Sequence, residues 1–170
     1  MNKEAARYSK TFKEVSKIIL PSPCLNKAYK QMRVAAMQCR EAMALFAGIE
    51  ENNIFHIIET IIPERVSVSP NDAAGVEVGA QELLGIRQWL QENEFDLIAQ
   101  IHSAPRQIFP DAGKIVSPMI NIIGGIFIVV PDFALGPTNP ETWAVYRLSL
   151  GNKWIELDKN EICHLFEITY

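Results

Sequence analysis

Apolar residues recur at spacings of three and four through Leu25, Ala28, Tyr29, Met32, Ala36 and Cys39, the stripe of a helix with one face on a core. Ser22-Pro23 marks its start, a capping residue followed by a proline where a missing N–H costs nothing, and its end falls near Arg40. Met43 to Ile49 and Ile54 to Ile62 are apolar runs rich in isoleucine and phenylalanine, divided by Glu50-Glu51-Asn52-Asn53. They predict a hairpin. Pro63 to Gly79 lacks periodicity and is dense in proline, serine and glycine, so it predicts a long surface loop of the kind that often carries function. Leu83, Ile86 and Leu90 place a second helix between Gly79 and Asn93, feeding a strand from Phe95 to Ile101. His102-Ser103-Ala104-Pro105 ends that strand, and Arg106 to Gly125 is irregular, with Pro110, Gly113 and Pro118. Strands follow at Ile126 to Val130, Trp143 to Leu150 and Trp154 to Leu157, with Pro131 to Pro140 as a proline-punctuated loop and Gly151-Asn152 as a turn.

The 170 residues show no internal repeat and no boundary, which predicts one domain over 1–170 whose first twenty residues are a flexible or edge segment. Hydrophobic residues at 48% and charged residues at 21% exclude a disordered chain. A net charge of −4 with neither sign gathered into a block argues against a phosphate-backbone partner, so no nucleic acid is expected. The longest apolar stretch, Ile120 to Val130, is interrupted by Asn121, Gly124 and Gly125 and is too short to span a membrane. The charged opening MNKEAARYSKTFKEVSK has no apolar export signal, which points to the cytoplasm. Cys24, Cys39 and Cys163 are odd in number and form no CxxC pair, so they read as buried thiols rather than a disulfide framework.

The residues that bear chemistry are sparse. His56 lies in an alternating run and His164 near the C-terminus, neither with metal-ligand spacing. Trp143, Tyr146 and Trp154 read as core or cross-strand packing.

Three local patterns, however, resemble the JAB/MPN fold of the JAMM metallopeptidases, over about Ser22 to Leu157. Glu41-Ala42-Met43-Ala44-Leu45-Phe46-Ala47-Gly48 looks like the family's strand that opens with glutamate and ends in glycine, and His102-Ser103-Ala104-Pro105 looks like its His-Ser-His-Pro. Gly125 to Phe133, with Trp143-Ala144-Val145-Tyr146 and Trp154, is similar to prokaryotic members that accompany ubiquitin-activating-like and ubiquitin-conjugating-like enzymes. The resemblance implies an α/β fold of the α+β type, the JAB/MPN cytidine-deaminase-like arrangement of a mixed β-sheet flanked by helices. It also implies a chemistry in which a glutamate is general base, two histidines and an aspartate bind zinc, and a serine supports the oxyanion. Two imidazoles at i and i+2 of a strand end share one side, and three protein ligands leave zinc a fourth position for water.

On that resemblance Glu41 takes the general-base position and His102 the first zinc-ligand position, with Ser103 and Pro105 at the flanking ones. Ala104 stands where the second histidine belongs and offers no lone pair. With Pro118 as anchor, Asp111 falls at the serine position and Lys114 at the zinc-binding aspartate, a cation where an anion is needed. An engineered His to Ala change at 104 would leave Lys114 unexplained. Arg65 and Arg106 lie in the two loops that flank the family's substrate groove and, with Ser103 and Pro105, are candidate partner contacts. These departures predict a catalytically degenerate domain with no cofactor, an interaction module for a ubiquitin-like protein tail, a conjugation-system enzyme or another MPN protein. The alternative is a working zinc metallo-isopeptidase whose altered site recruits Asp111 beside Glu41 and His102. A third reading is a structural MPN subunit of a heteromeric assembly.

Overall fold

The computed structural model describes residues 10–64, 78–105 and 119–170. Among these, the first strand, β1 (Lys17–Pro21), runs directly into helix α1 (Ser22–Ala36). Pro21 therefore occupies the cap position, and Ser22 makes no capping bond, so the helix starts one residue earlier than the Ser-Pro signal predicts. Leu25, Ala28, Tyr29, Met32 and Ala35 form its buried stripe. The helix also stops short of Arg40. Cys39 adopts a left-handed conformation (φ 52), with Cys39 N–H donating to the Ala36 carbonyl and Arg40 N–H to that of Ala35. This is a Schellman closure with cysteine where glycine is usual, and it turns the chain back toward the sheet. Ala36 is half-buried and Cys39 exposed as a result.

Strands β2 (Met43–Glu51) and β3 (Ile54–Ile61) form the expected hairpin, and β2 continues past Ile49 to the turn. Asn52 and Asn53 both have positive φ, the two-residue geometry that matches strand twist and that asparagine tolerates. Helix α2 (Ala80–Glu92) leads to β4 (Asp96–Ser103), followed by β5 (Ile126–Val130), β6 (Ala144–Leu148) and β7 (Trp154–Glu156). Helix α3 (Lys159–Leu165) and β8 (Phe166–Thr169) close the chain.

One eight-stranded sheet results, in the order β7-β6-β5-β4-β2-β3-β1-β8. It is mixed: β1 pairs parallel with β3 and β8, β4 parallel with β5, and the remaining pairs are antiparallel. This is the α+β architecture of a mixed sheet flanked by helices. Residues 17–21 are not a loose edge, because β1 is paired on both sides and β8 forms the rim. The main core lies between one face of the sheet and α1 and α3, through Phe46, Ile101, Ile128, Tyr29, Met32 and Ile162 among others. A smaller cluster, in which Ile86 of α2 packs on Met43 and Leu45, covers part of the other face.

The cysteines are not buried thiols. Cys39 and Cys163 are exposed, and Cys24 is only partly covered, its thiol 3.6 Å from the Ile58 carbonyl. Burial pushes the Cys24 pKa up, which disfavours a reactive thiolate. Trp143 and Tyr146 are buried and Trp154 packs beside Phe127, as cross-strand packing predicts. The Trp143 indole N–H donates to the Tyr29 hydroxyl at 2.8 Å, joining α1 to the start of β6. The desolvation that accompanies this contact raises the Tyr29 pKa.

Candidate functional site

Strands β2 and β4 are antiparallel neighbours with Met43 opposite His102. Continuing that register brings Ala42 beside Ser103, and the Ser103 N–H donates to the Ala42 carbonyl at 2.9 Å. Glu41 and Met43 are two residues apart and share a sheet face, and Met43 faces the same side as His102. The Schellman turn after α1 and this pairing together bring Glu41 Oε2 to 3.2 Å from His102 Nε2. The two residues predicted to work together are thus side by side, each partly shielded from solvent.

The contact is close but poorly aligned. Its separation is that of an ion pair, yet Nε2 is buried and has no hydrogen-bond partner of acceptable geometry among the described residues. Hydrogen bonds weaken steeply when bent, so this contact is not one. An imidazole nitrogen left this way costs about 1–3 kcal/mol, so the position is held by its surroundings rather than by its own bonding. Part of that hold is aromatic. The His102 ring meets Phe127 edge-on at 6.3 Å, and Phe127 meets Trp154 at 6.0 Å.

Ser103 points the other way. Its side chain is fully buried, accepting from Ala42 N–H at 2.9 Å and lying 3.3 Å from the Ala42 carbonyl. The expectation that Ser103 contacts a binding partner is therefore corrected. Alternation along β4 turns the residue after His102 into the core, where the hydroxyl fastens the backbone next to Glu41. Ser103→Ala should cost about 1–3 kcal/mol by stranding the Ala42 amide, measured by urea unfolding, whereas a solvent-facing serine would leave stability within about 0.5 kcal/mol.

Ala104 returns to the face of His102, as the i and i+2 rule requires. Its methyl packs against the cluster of Phe127, Val129, Ala144 and Tyr146 with Trp154. Its carbonyl accepts from Phe133 N–H at 2.7 Å. That bond ties the strand end to Asp132, Phe133 and Ala134, three successive residues with positive φ. Such backbone costs about 1–2 kcal/mol per residue and needs external support. Arg33 of α1 provides it, donating from Nε to the Ala134 carbonyl at 2.8 Å and from Nη2 to the Gly136 carbonyl at 3.0 Å. No local pattern in the sequence singles out Arg33, since its partners lie more than a hundred residues further on. Pro105 is exposed at the strand end. Arg65, Arg106, Asp111 and Lys114 lie outside the described residues.

A protein of Sinorhizobium fredii (strain NBRC 101917 / NGR234) named probable metalloprotease y4jG is 31% identical to this chain over 156 residues, 92% of this chain and 96% of that protein. The chain belongs to this metalloprotease family. No protein-family model matches it. Among solved structures, the protein DSY2949 from Desulfitobacterium hafniense superposes with a TM-score of 0.61 at 13% identity, covering 89% of this chain and 92% of that one. That likeness shows a shared fold.

A metalloprotease family implies a hydrolytic metal, and zinc in such sites takes three protein ligands with one position open. The buried, unpaired Nε2 of His102 suits a metal, and the Glu41 carboxylate adds a second donor or a base beside it. The methyl of Ala104 adds none, and no group of three or more His, Cys, Asp or Glu capable of holding a metal occurs among the described residues. The described donors therefore fall short of a zinc site by themselves. No helix among the described residues is long and apolar enough to cross a membrane.

Proposed function

We propose that this member of the metalloprotease family is a JAB/MPN-type domain with a degenerate metal site, acting in the cytoplasm as a binding module for a ubiquitin-like protein tail or a conjugation-system partner. The observation that carries the reading is Ala104. The residue is on the face of His102, where a second imidazole would complete the strand-end pair, and its methyl packs against the cluster of Phe127, Val129, Ala144 and Tyr146. A methyl offers no lone pair, so the strand end presents one imidazole where the hydrolytic arrangement needs two. Lys114 in the sequence adds to this, since an ammonium at the aspartate position repels a dication. Glu41, His102 and the fold are what remains of the hydrolytic arrangement.

The unpaired Nε2 of His102 favours a second reading, an active metallo-isopeptidase in which Asp111 joins Glu41 and His102 as an oxygen-rich ligand set. Elemental analysis of protein purified without added metal separates the two. The degenerate domain is expected to carry far less than one zinc per chain. Stoichiometric zinc, with peptide-bond cleavage lost in Glu41→Gln, would establish the active enzyme instead.

A further inference from the structure

At the same end of the sheet as Glu41 and His102, but lined by other residues, lies a cleft of about 620 Å³. Its floor is apolar, made by Val130, Trp143, Leu157 and Ile162. Among the described residues, its rim carries Asp132, Glu141, Glu156 and Asp158 against the single cation Lys159. Asp158 is engaged in capping α3 through Glu161 N–H. The carboxylates of Asp132 and Glu156 have neither hydrogen bond nor ion pair among the described residues, and that of Glu141 meets only the Asn139 amide, at 3.4 Å. Like charges that line one cleft repel, and here no cation of the described chain forms an ion pair with any of them. A bound cation would relieve that repulsion.

Two features define the kind of cation. The carboxylates do not converge, since no group of them suits one metal ion among the described residues, so the complementary charge must be spread along a chain. The cleft also reaches the rim of the sheet. Glu156 both lines it and ends β7, the outermost strand, whose outward backbone groups are unpaired among the described residues. An unpaired strand edge beside an apolar floor suits main-chain pairing with alternate side chains seated below.

We propose that this cleft binds an extended basic peptide segment, paired along β7, with Lys or Arg side chains against Glu141 and Glu156 and apolar side chains on the Trp143 and Leu157 floor. The proposal deepens the binding-module reading but rests on residues that the zinc measurement does not touch. Stoichiometric zinc would end that reading without changing peptide affinity, and failure of the peptide to bind would leave the zinc result as it stands.

Fluorescence anisotropy with the full chain tests it, using labelled Val-Lys-Val-Arg-Val-Lys and a counterpart with glutamate at every basic position. The basic peptide should bind with a Kd on the order of micromolar. The acidic one should bind at least about tenfold more weakly, as should the basic one to the isosteric variant E141Q/E156Q. Raising ionic strength from about 0.05 to about 0.3 M should also weaken binding. No binding of the basic peptide, equal binding of the acidic one, or an unchanged Kd in E141Q/E156Q would overturn the proposal. So would displacement by spermidine at the concentration where unlabelled peptide displaces, because the cleft would then read charge without a peptide backbone.

Discussion

Gly48→Ala should lower stability by about 3 kcal/mol, at the top of the range for overpacking a filled interior. Gly48 sits in β2 at a register shift: Ala47 is opposite Glu59 in β3, while Gly48 is opposite Ile57. A second shift occurs on the other side, where Phe46 faces Ala99 and Ala47 faces Leu97 in β4. These irregularities draw β3 so close to β2 that a Cβ on Gly48 would penetrate the backbone carbonyl of His56. A flexible side chain could swing away, but a carbonyl in a ladder cannot move without breaking its pairing. Because β2 is bonded on both sides, the strain would pass through β4 toward His102. Thermal unfolding followed by circular dichroism should show a midpoint lower by about 6–12 °C, given about 2–4 °C per kcal/mol for chains of this size. A drop under about 2 °C would mean that the two strands can separate freely here, against the close approach described above.

The second large effect is expected at Arg147 of β6. Its Nη2 donates to the carbonyls of Phe12 and Val15, both at 2.7 Å, and lies 3.3 Å from that of Lys13. Phe12 is buried against Phe55, with its N–H bonded to the Ile123 carbonyl. One guanidinium therefore fastens the segment that leads into β1. Burial pulls the Arg147 pKa below its usual value, countered by the Glu14 charge. Arg147→Met keeps most of the apolar stem and removes the donors. Its cost should be about 3 kcal/mol, the loss of charge-assisted bonds less the relief of a desolvated cation. The loss should be local before it is global. Trypsin should cleave after Lys13 at least about tenfold faster in the variant under native conditions, since local opening exposes the site. Equal cleavage rates together with unchanged stability would show that the aromatic contacts alone hold the segment.

The Arg147 effect arises where segments far apart in sequence meet, and the division between local and distant contacts also explains what was legible in the sequence. The stripe of α1, the β2–β3 hairpin, α2 and the central strands were readable because each rests on a local period. The end of α1 was not, because Cys39 closes the helix in a left-handed conformation that its residue type does not announce. The thiol expected inside the core is consequently outside. Strands β1 and β8 were missed for a different reason: each is short, and they become strands by pairing with one another across nearly the whole chain. Helix α3 did carry a signal. Asp158 and Glu161 form a capping box, readable as an acidic cap followed three residues later by glutamate.

At the candidate site, the sequence by itself determined the side chains: a glutamate at 41 and an imidazole at 102, which can donate a lone pair, and a methyl at 104, which cannot. The period of two along a strand also determined that 102 and 104 share a face, because that alternation is built into every extended backbone. Only the tertiary structure decided that Glu41 stands against His102, that the Ser103 hydroxyl is spent on Ala42, and that an acidic cleft opens beside β7. Ala42 and Ser103 are 61 residues apart, and no local rule relates them. Their meeting depends on which strands pair and in what register, and register is selected by the whole sheet burying its apolar faces at once.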